Sequence, residues 1–256
     1  MAFIEVEDLS IVYRSRKGEE ILALDGVNLE ISEGEFVAIV GPSGCGKSTL
    51  LKAISGLLKP RKGLVRIGGR VVEGPYDGIG FVFQTPTLLP WRTVLGNILF
   101  PIEMKGLRKN DYVEKALKLI EMVGLKGFEK KYPGELSGGM RQRASLIQAL
   151  IHDPRILLLD EPFGALDALT REELNMELQR IWMREKKTSI LVTHSISEAV
   201  FQADRVYVMS PRPGRIIHVE DVELPRPRSF EDSSSPEFLK HVNNIRRFIF
   251  AQGEKA

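Results

Sequence analysis

The sequence predicts an α/β protein with a mainly parallel core sheet, an N-terminal antiparallel β subdomain and an inserted helical subdomain. Three observations carry this prediction. Through the first third, apolar residues alternate at Ile4/Val6, Leu9/Ile11/Tyr13, Val27/Leu29/Ile31 and Val65/Ile67, the period of half-buried strands. From about residue 92 to 151 the period becomes helical, with Val113, Ala116, Leu117, Ile120 and Val123 on one face. Short unbroken apolar runs, Phe36 to Val40, Ile156 to Leu159 and Ser189 to Thr193, have the texture of strands covered on both faces.

Taken in order, Glu33-Gly34-Glu35 is a turn leading into the Phe36 to Val40 strand, and a helix follows from Lys47 through Leu58. In the helical insert a second helix begins near Gly139, with Ala144, Ile147 and Ile151 inward. Beyond it, a helix lined by Leu174, Leu178 and Ile181 separates the two later apolar runs, and strand, helix, strand at this spacing implies parallel pairing. The stretches PRPGR at 211 to 215 and LPRPR at 224 to 228 lead to a serine-rich linker. Ser235-Pro236 then caps an amphipathic helix with Phe238, Leu239, Val242, Ile245 and Ile249 on one side. That helix either docks on its own domain or meets a second subunit or regulator. The expected boundaries are a domain over 1–228, with its core in 1–91 and 152–228 and the helical subdomain in 92–151, followed by linker and helix over 229–256. Lys126, Lys130, Lys131 and the arginines near 212 to 228 read as a solvated face.

Composition bounds the function. The 256 residues are 43% hydrophobic, enough for a full core. Thirty-six basic against 34 acidic residues leave a net charge of +2, so nothing calls for nucleic acid or an acidic membrane surface. The one cysteine, Cys45, can form no internal disulfide and fits a reducing compartment. MAFIEVEDLS lacks the basic region and apolar core of a secretory signal, and no apolar run approaches the ~18 residues of a membrane span. A cytosolic chain is expected, with any membrane role exercised through a partner.

The chemistry begins at Gly41-Pro42-Ser43-Gly44-Cys45-Gly46-Lys47-Ser48-Thr49, directly after an apolar strand and opening a helix. Glycines at 41, 44 and 46 let consecutive N–H groups turn toward one anion, and the helix adds the positive end of its dipole. The pattern is a P-loop: Lys47 would reach the β- and γ-phosphates of a nucleotide and the Ser48 hydroxyl would coordinate Mg2+. The fold class is therefore that of a P-loop NTPase. Cys45, at an exposed anion cradle that could lower its pKa, admits a redox reading, but the favoured reading is a small residue tolerated there. A second element, Ile156-Leu-Leu-Leu-Asp160-Glu161-Pro162, brings two carboxylates to the carboxyl edge of a parallel sheet. Strand alternation would send them apart, Asp160 to the hydrated Mg2+ and Glu161 to the attacking water.

The order GPSGCGKST, Gln84, Leu136-Ser137-Gly138-Gly139-Met140, ILLLDEP, Gly164-Ala165-Leu166-Asp167 and His194 resembles the nucleotide-binding subunit of an ABC transporter, over roughly residues 3 to 225. The resemblance implies a homodimer in which two subunits sandwich two ATP molecules head to tail. It implies that Tyr13, just after a strand, stacks on adenine, and that Gln84 touches Mg2+ and the water and senses the membrane subunit. Ser137, Gly138 and Gly139 would bind the γ-phosphate held by the partner, Asp167 would cross the dimer interface, and His194 would contact the γ-phosphate. Met140 departs from the usual glutamine of the signature, a change the backbone and Ser137 should tolerate. The implied reaction is in-line attack of water on the γ-phosphate, with Glu161 as general base and Lys47 and Mg2+ absorbing charge.

One P-loop, and only about ninety residues between Lys47 and Ser137, disfavour the two-cassette translation factors and the coiled-coil chromosome ATPases of the same family. An importer subunit is the expected role, with a soluble regulatory ATPase as the alternative. The segments LLPWRTVLGNI (88–98) and SPRPGRI (210–216) resemble the nitrate, sulfonate, taurine and thiamine-precursor branch. On that resemblance the partners are a permease and, indirectly, a solute-binding protein, no nucleic acid is bound, and the chain sits on the cytoplasmic face of the membrane as a peripheral protein. Leu88, Leu89 and Trp91 would either offer an apolar groove to the permease or pack inside the helical lobe.

Overall fold

The computed structural model describes residues 2–15, 18–164 and 166–251. In chain order the elements are β1 (Ile4–Arg14), β2 (Glu20–Ile31), β3 (Phe36–Val40), α1 (Lys47–Ile54), β4 (Lys62–Ile67), β5 (Arg70–Val71), β6 (Ile79–Val82), α2 (Val94–Ile98), α3 (Phe100–Met104), α4 (Asn110–Met122), α5 (Gly138–Leu150), β7 (Ile156–Asp160), α6 (Ala168–Glu185), β8 (Thr188–Val192), α7 (Ile196–Gln202), β9 (Arg205–Met209), β10 (Ile216–Asp221) and α8 (Pro236–Ala251). The chain divides into two compact units, Met1–Asp77 with Trp182–Ala256, and Gly78–Ile181.

In the first unit, β2-β1-β4-β5 form an antiparallel sheet. The two early apolar runs belong to one strand. A bulge between Val6 and Leu9, with Asp8 at φ 47°, shifts the alternation from even to odd positions, so that Ile4, Val6, Leu9 and Ile11 are all buried. Tyr13 lies within that strand, paired with Ile21, and not after it. A second sheet places β3 between β8 and β9, parallel to both, with β10 antiparallel on β9. Every residue of β3 and β8 is buried, as strands covered on both faces require. The β9–β10 pair escaped the sequence reading, because the proline-rich stretch between its strands resembles a plain loop. Helix α1 ends at Ile54, before the expected Leu58, because Gly56 takes φ 76° and turns the chain.

The arginines near 212 to 228 are not a uniform solvated face. Arg226 pairs with Asp204 at 2.8 Å and lies over the Trp182 ring, and Arg228 is 2% exposed. Burial holds the Arg228 guanidinium down to about 10, still protonated at neutral pH. Helix α8 starts as expected, Ser235 Oγ accepting from Phe238 N at 3.2 Å. It buries Phe238, Val242 and Ile245 against its own unit, on α7, β9 and β10, whereas Leu239 is exposed.

The second unit holds the parallel pair β6–β7 and the helices α2 to α5. Val94, Ile98, Ile102, Ala116, Ile120, Leu146 and Ile147 form its buried centre. Leu117, expected inward, is exposed: α4 meets its neighbours through a narrow stripe centred on Ala116 and Ile120. Among the described residues no helix is long and apolar enough to cross a membrane.

Candidate functional site

In the first unit the chain leaves the carboxyl end of β3 through Gly41 to Gly46 and enters α1. Gly44 and Gly46 have φ 74° and 110°, where a Cβ is disfavoured. A Cβ on Gly44 would meet nothing, whereas one on Gly46 would lie 2.6 Å from Leu24 Cδ2. Gly44 thus supplies conformation beneath open space, and Gly46 also lets α1 sit tightly on β2. Lys47 is 5% exposed and folds back over the loop, its Nζ donating to Gly41 O at 2.9 Å and Pro42 O at 3.1 Å. An ammonium has three donors, so the loop fixes the charge in place and one N–H remains for an anion. Cys45 N donates to Pro42 O at 3.3 Å. The Cys45 thiol is buried, which corrects the reading that put it at an exposed cradle. Ser43 is exposed, and Ser48 and Thr49 are half-buried in the first turn of α1.

Tyr13 reaches this loop from β1: its hydroxyl lies 3.2 Å from Thr49 Oγ1, with 39% of the residue exposed. The parallel register Ile39↔Val192 ends β3 and β8 level with each other. His194, two residues further on and exposed, therefore emerges at the same sheet edge as the glycine loop.

In the second unit the register Val82↔Leu159 sets Gln84 opposite Glu161, and Gln84 Nε2 donates to Glu161 Oε2 at 3.1 Å. Asp160 ends β7 and is buried. Glu161 has φ 44° and lies just past the end of β7, so a left-handed turn, and not the strand alternation expected from sequence, sets its backbone. Ser137 caps α5, its Oγ accepting from Met140 N at 3.2 Å, with Gly138 and Gly139 in the first turn. A Cβ on Gly139 would stand 2.8 Å from Thr170 Cγ2, so this glycine admits α6. Asp167 precedes α6, and its Oδ1 accepts from Thr170 N at 3.0 Å. That backbone hydrogen bond holds the carboxyl below the usual aspartate range. Ala165 of the same motif lies outside the described residues.

Leu88 and Leu89 are half-buried and Trp91 is 71% exposed, which overturns packing of the indole inside the lobe. The sequence reading assigned nothing to Asn97. It is fully buried, accepts from Leu89 N at 2.7 Å, and donates to Leu89 O at 3.1 Å and Arg92 O at 3.0 Å. It thereby holds the loop that displays Trp91; an asparagine amid apolar helix positions was the available signal.

A strand, glycine loop and helix with a lysine folded over the loop, at the carboxyl edge of parallel strands, define a P-loop nucleotide-binding ATPase. Residues 24–164 match the ABC transporter family, and the chain belongs to it: it is an ATP-binding, ATP-hydrolysing transport ATPase. An uncharacterized ABC transporter ATP-binding protein of Methanocaldococcus jannaschii is 50% identical over 242 residues, covering 94% of this chain and 89% of that one. A taurine import ATP-binding protein of Rhizobium johnstonii is 42% identical over 253 residues, 96% of each chain. A nitrate import ATP-binding protein of Synechocystis is 42% identical over 248 residues, 94% of this chain and 93% of that one. Among solved structures, a dimeric ATP-binding cassette in a post-hydrolysis state with ADP and Pi superposes with TM-score 0.76 at 34% identity, covering 87% of this chain and all of that one. The resemblance of residues 88–98 to the taurine and nitrate branch agrees with these relatives.

Proposed function

We propose that this chain energises an ABC importer for nitrate, taurine, another sulfonate or a related small solute, by ATP-driven head-to-tail dimerisation beneath a permease on the cytoplasmic face of the membrane. A solute-binding protein would act indirectly, through the permease. The observation that carries the reading is the Lys47 ammonium clamped over a glycine loop whose Gly44 opens onto free space, a cradle that fits the terminal phosphates of ATP. The names of the taurine and nitrate relatives favour an importer over a soluble regulatory ATPase.

In this proposal the backbone from Gly41 to Thr49, with Pro42, Ser43 and Cys45 completing the loop, wraps the phosphates, and Lys47 meets the β- and γ-oxygens. Tyr13, tied to Thr49, stacks on the adenine. Glu161 takes the proton of the attacking water, held ready by Gln84. His194 contacts the γ-phosphate. Ser137, Gly138 and Gly139 present a capped helix terminus to the nucleotide of the partner subunit, and Asp167 crosses between subunits. The Ser48 hydroxyl, the buried Asp160 carboxylate and the Gln84 amide oxygen are each oxygen donors of the kind magnesium takes, and bound magnesium would neutralise phosphate charge. Lys47→Ala is expected to weaken Mg-ATP binding by about tenfold or more, about 1.4 kcal/mol, and to abolish turnover. Isothermal titration with Mg-ATP tests it, and unchanged affinity and turnover would refute the assignment.

A further inference from the structure

Around His194 the backbone is tied by one side-chain hydroxyl. Thr193 N donates to Ile39 O at 3.2 Å, joining the end of β8 to β3. The Thr193 hydroxyl accepts from Ser195 N at 3.0 Å, bridging over His194, and hydrogen-bonds the Glu198 carboxylate at Oε2. Ser195 Oγ in turn accepts from Glu198 N at 3.2 Å. Thr193 and Glu198 are buried, whereas His194 between them is exposed.

A threonine hydroxyl has a single proton. Once that proton is given to Glu198, the oxygen lone pairs must face Ser195 N–H, so the carboxylate sets the polarity of the bond that spans His194. The peptide unit that follows the histidine is then held back onto the Thr193 side chain, a local side-chain turn. A buried carboxylate is costly unless hydrogen-bonded. We propose that Glu198, acting through Thr193, is a positioning residue that aims His194. The inference rests on the reading of His194 as a γ-phosphate contact.

The test uses the full chain. Glu198→Ala is expected to lower kcat by about 10- to 100-fold, the effect of misplacing a reacting-site group, with Mg-ATP affinity held within about twofold because the cradle is untouched. Glu198→Gln keeps the shape and an acceptor oxygen and should restore most of kcat. In a His194→Ala background, Glu198→Ala should cost nothing further. The His194 ring resonances in NMR should be single and sharp in the parent chain and in Glu198→Gln, and shifted or multiple in Glu198→Ala. Equal kcat losses from Glu198→Ala with and without His194, or unmoved His194 resonances, would overturn the proposal. If His194→Ala alone keeps full kcat, the γ-phosphate reading fails, while the NMR comparison still decides whether Glu198 aims the ring. Should Glu198→Ala fail to fold, Thr193→Ser against Thr193→Val makes the same comparison, hydroxyl kept against hydroxyl removed.

Discussion

Replacing Arg228 with leucine removes the most heavily bonded buried side chain of the C-terminal segment. Its Nη1 donates to Val200 O at 2.6 Å, Phe201 O at 3.2 Å and Ala203 O at 2.7 Å, and its Nη2 to Leu224 O at 3.1 Å. One guanidinium therefore closes the end of α7 onto the segment after β10. Hydrogen bonds to a charged group are worth ~1.5–3 kcal/mol each taken singly, but these share one donor group and do not add. Leucine leaves neutral carbonyls unpaired and no charge behind, so the nearer guide is the ~1–3 kcal/mol of a buried polar group left without its partner. At roughly 2–4 °C per kcal/mol for a chain of this size, the melting temperature should fall by roughly 2–12 °C. Reversible urea unfolding followed by circular dichroism measures the change, with Arg212→Leu, at an exposed position, as the control. A loss below ~1 kcal/mol, the scale of an exposed ion pair, would refute the structural role argued for Arg228.

Glu161→Gln is nearly isosteric but far less basic, so it should hold ATP unhydrolysed and convert a monomer to a dimer on addition of Mg-ATP. Ser137→Arg in the same chain should abolish that dimer, and light scattering decides; a dimer that ignores either ATP or Ser137→Arg refutes the composite site. Trp91→Ala should reduce co-purification with the permease far more than it reduces hydrolysis by the isolated chain, and a loss of folding would return the indole to a structural role. Burial pushes the Glu220 carboxyl up, but hydrogen bonds from His218, His241 and Asn244 outweigh it and hold the group below 4.5. A depressed carboxyl stabilises the fold above its unfolded value and loses that contribution as pH falls through its folded value. Hydrogen exchange in α8 should therefore stay slow from neutral pH down to the ordinary carboxylate range and quicken only below it, and opening well above that range would refute this role for Glu220.

Local pattern was enough where one short stretch of chain dictates its own geometry. The nine residues from Gly41 to Thr49 need only a buried strand before them and a helix after them to become an anion cradle, and both neighbours carry their own periodic signature. Ser235 likewise declared itself as a cap, because capping is settled within three residues. The sequence by itself therefore determined the fold class, the phosphate loop and the order of the motifs. Tertiary structure decided which side chains those motifs meet. Gln84 and Glu161 lie 77 positions apart, and only the β6–β7 register brings them together. Leu117 and Leu239 satisfy a helical period yet are exposed, because the width of an apolar face depends on the neighbour that covers it. Arg228 lies inside, against the solvated face expected for it, and the exposure of Trp91 decides between the surface groove and the packed lobe that the sequence left open. Burial is a property of where distant carbonyls and helices converge, and neither composition nor periodicity carries that information.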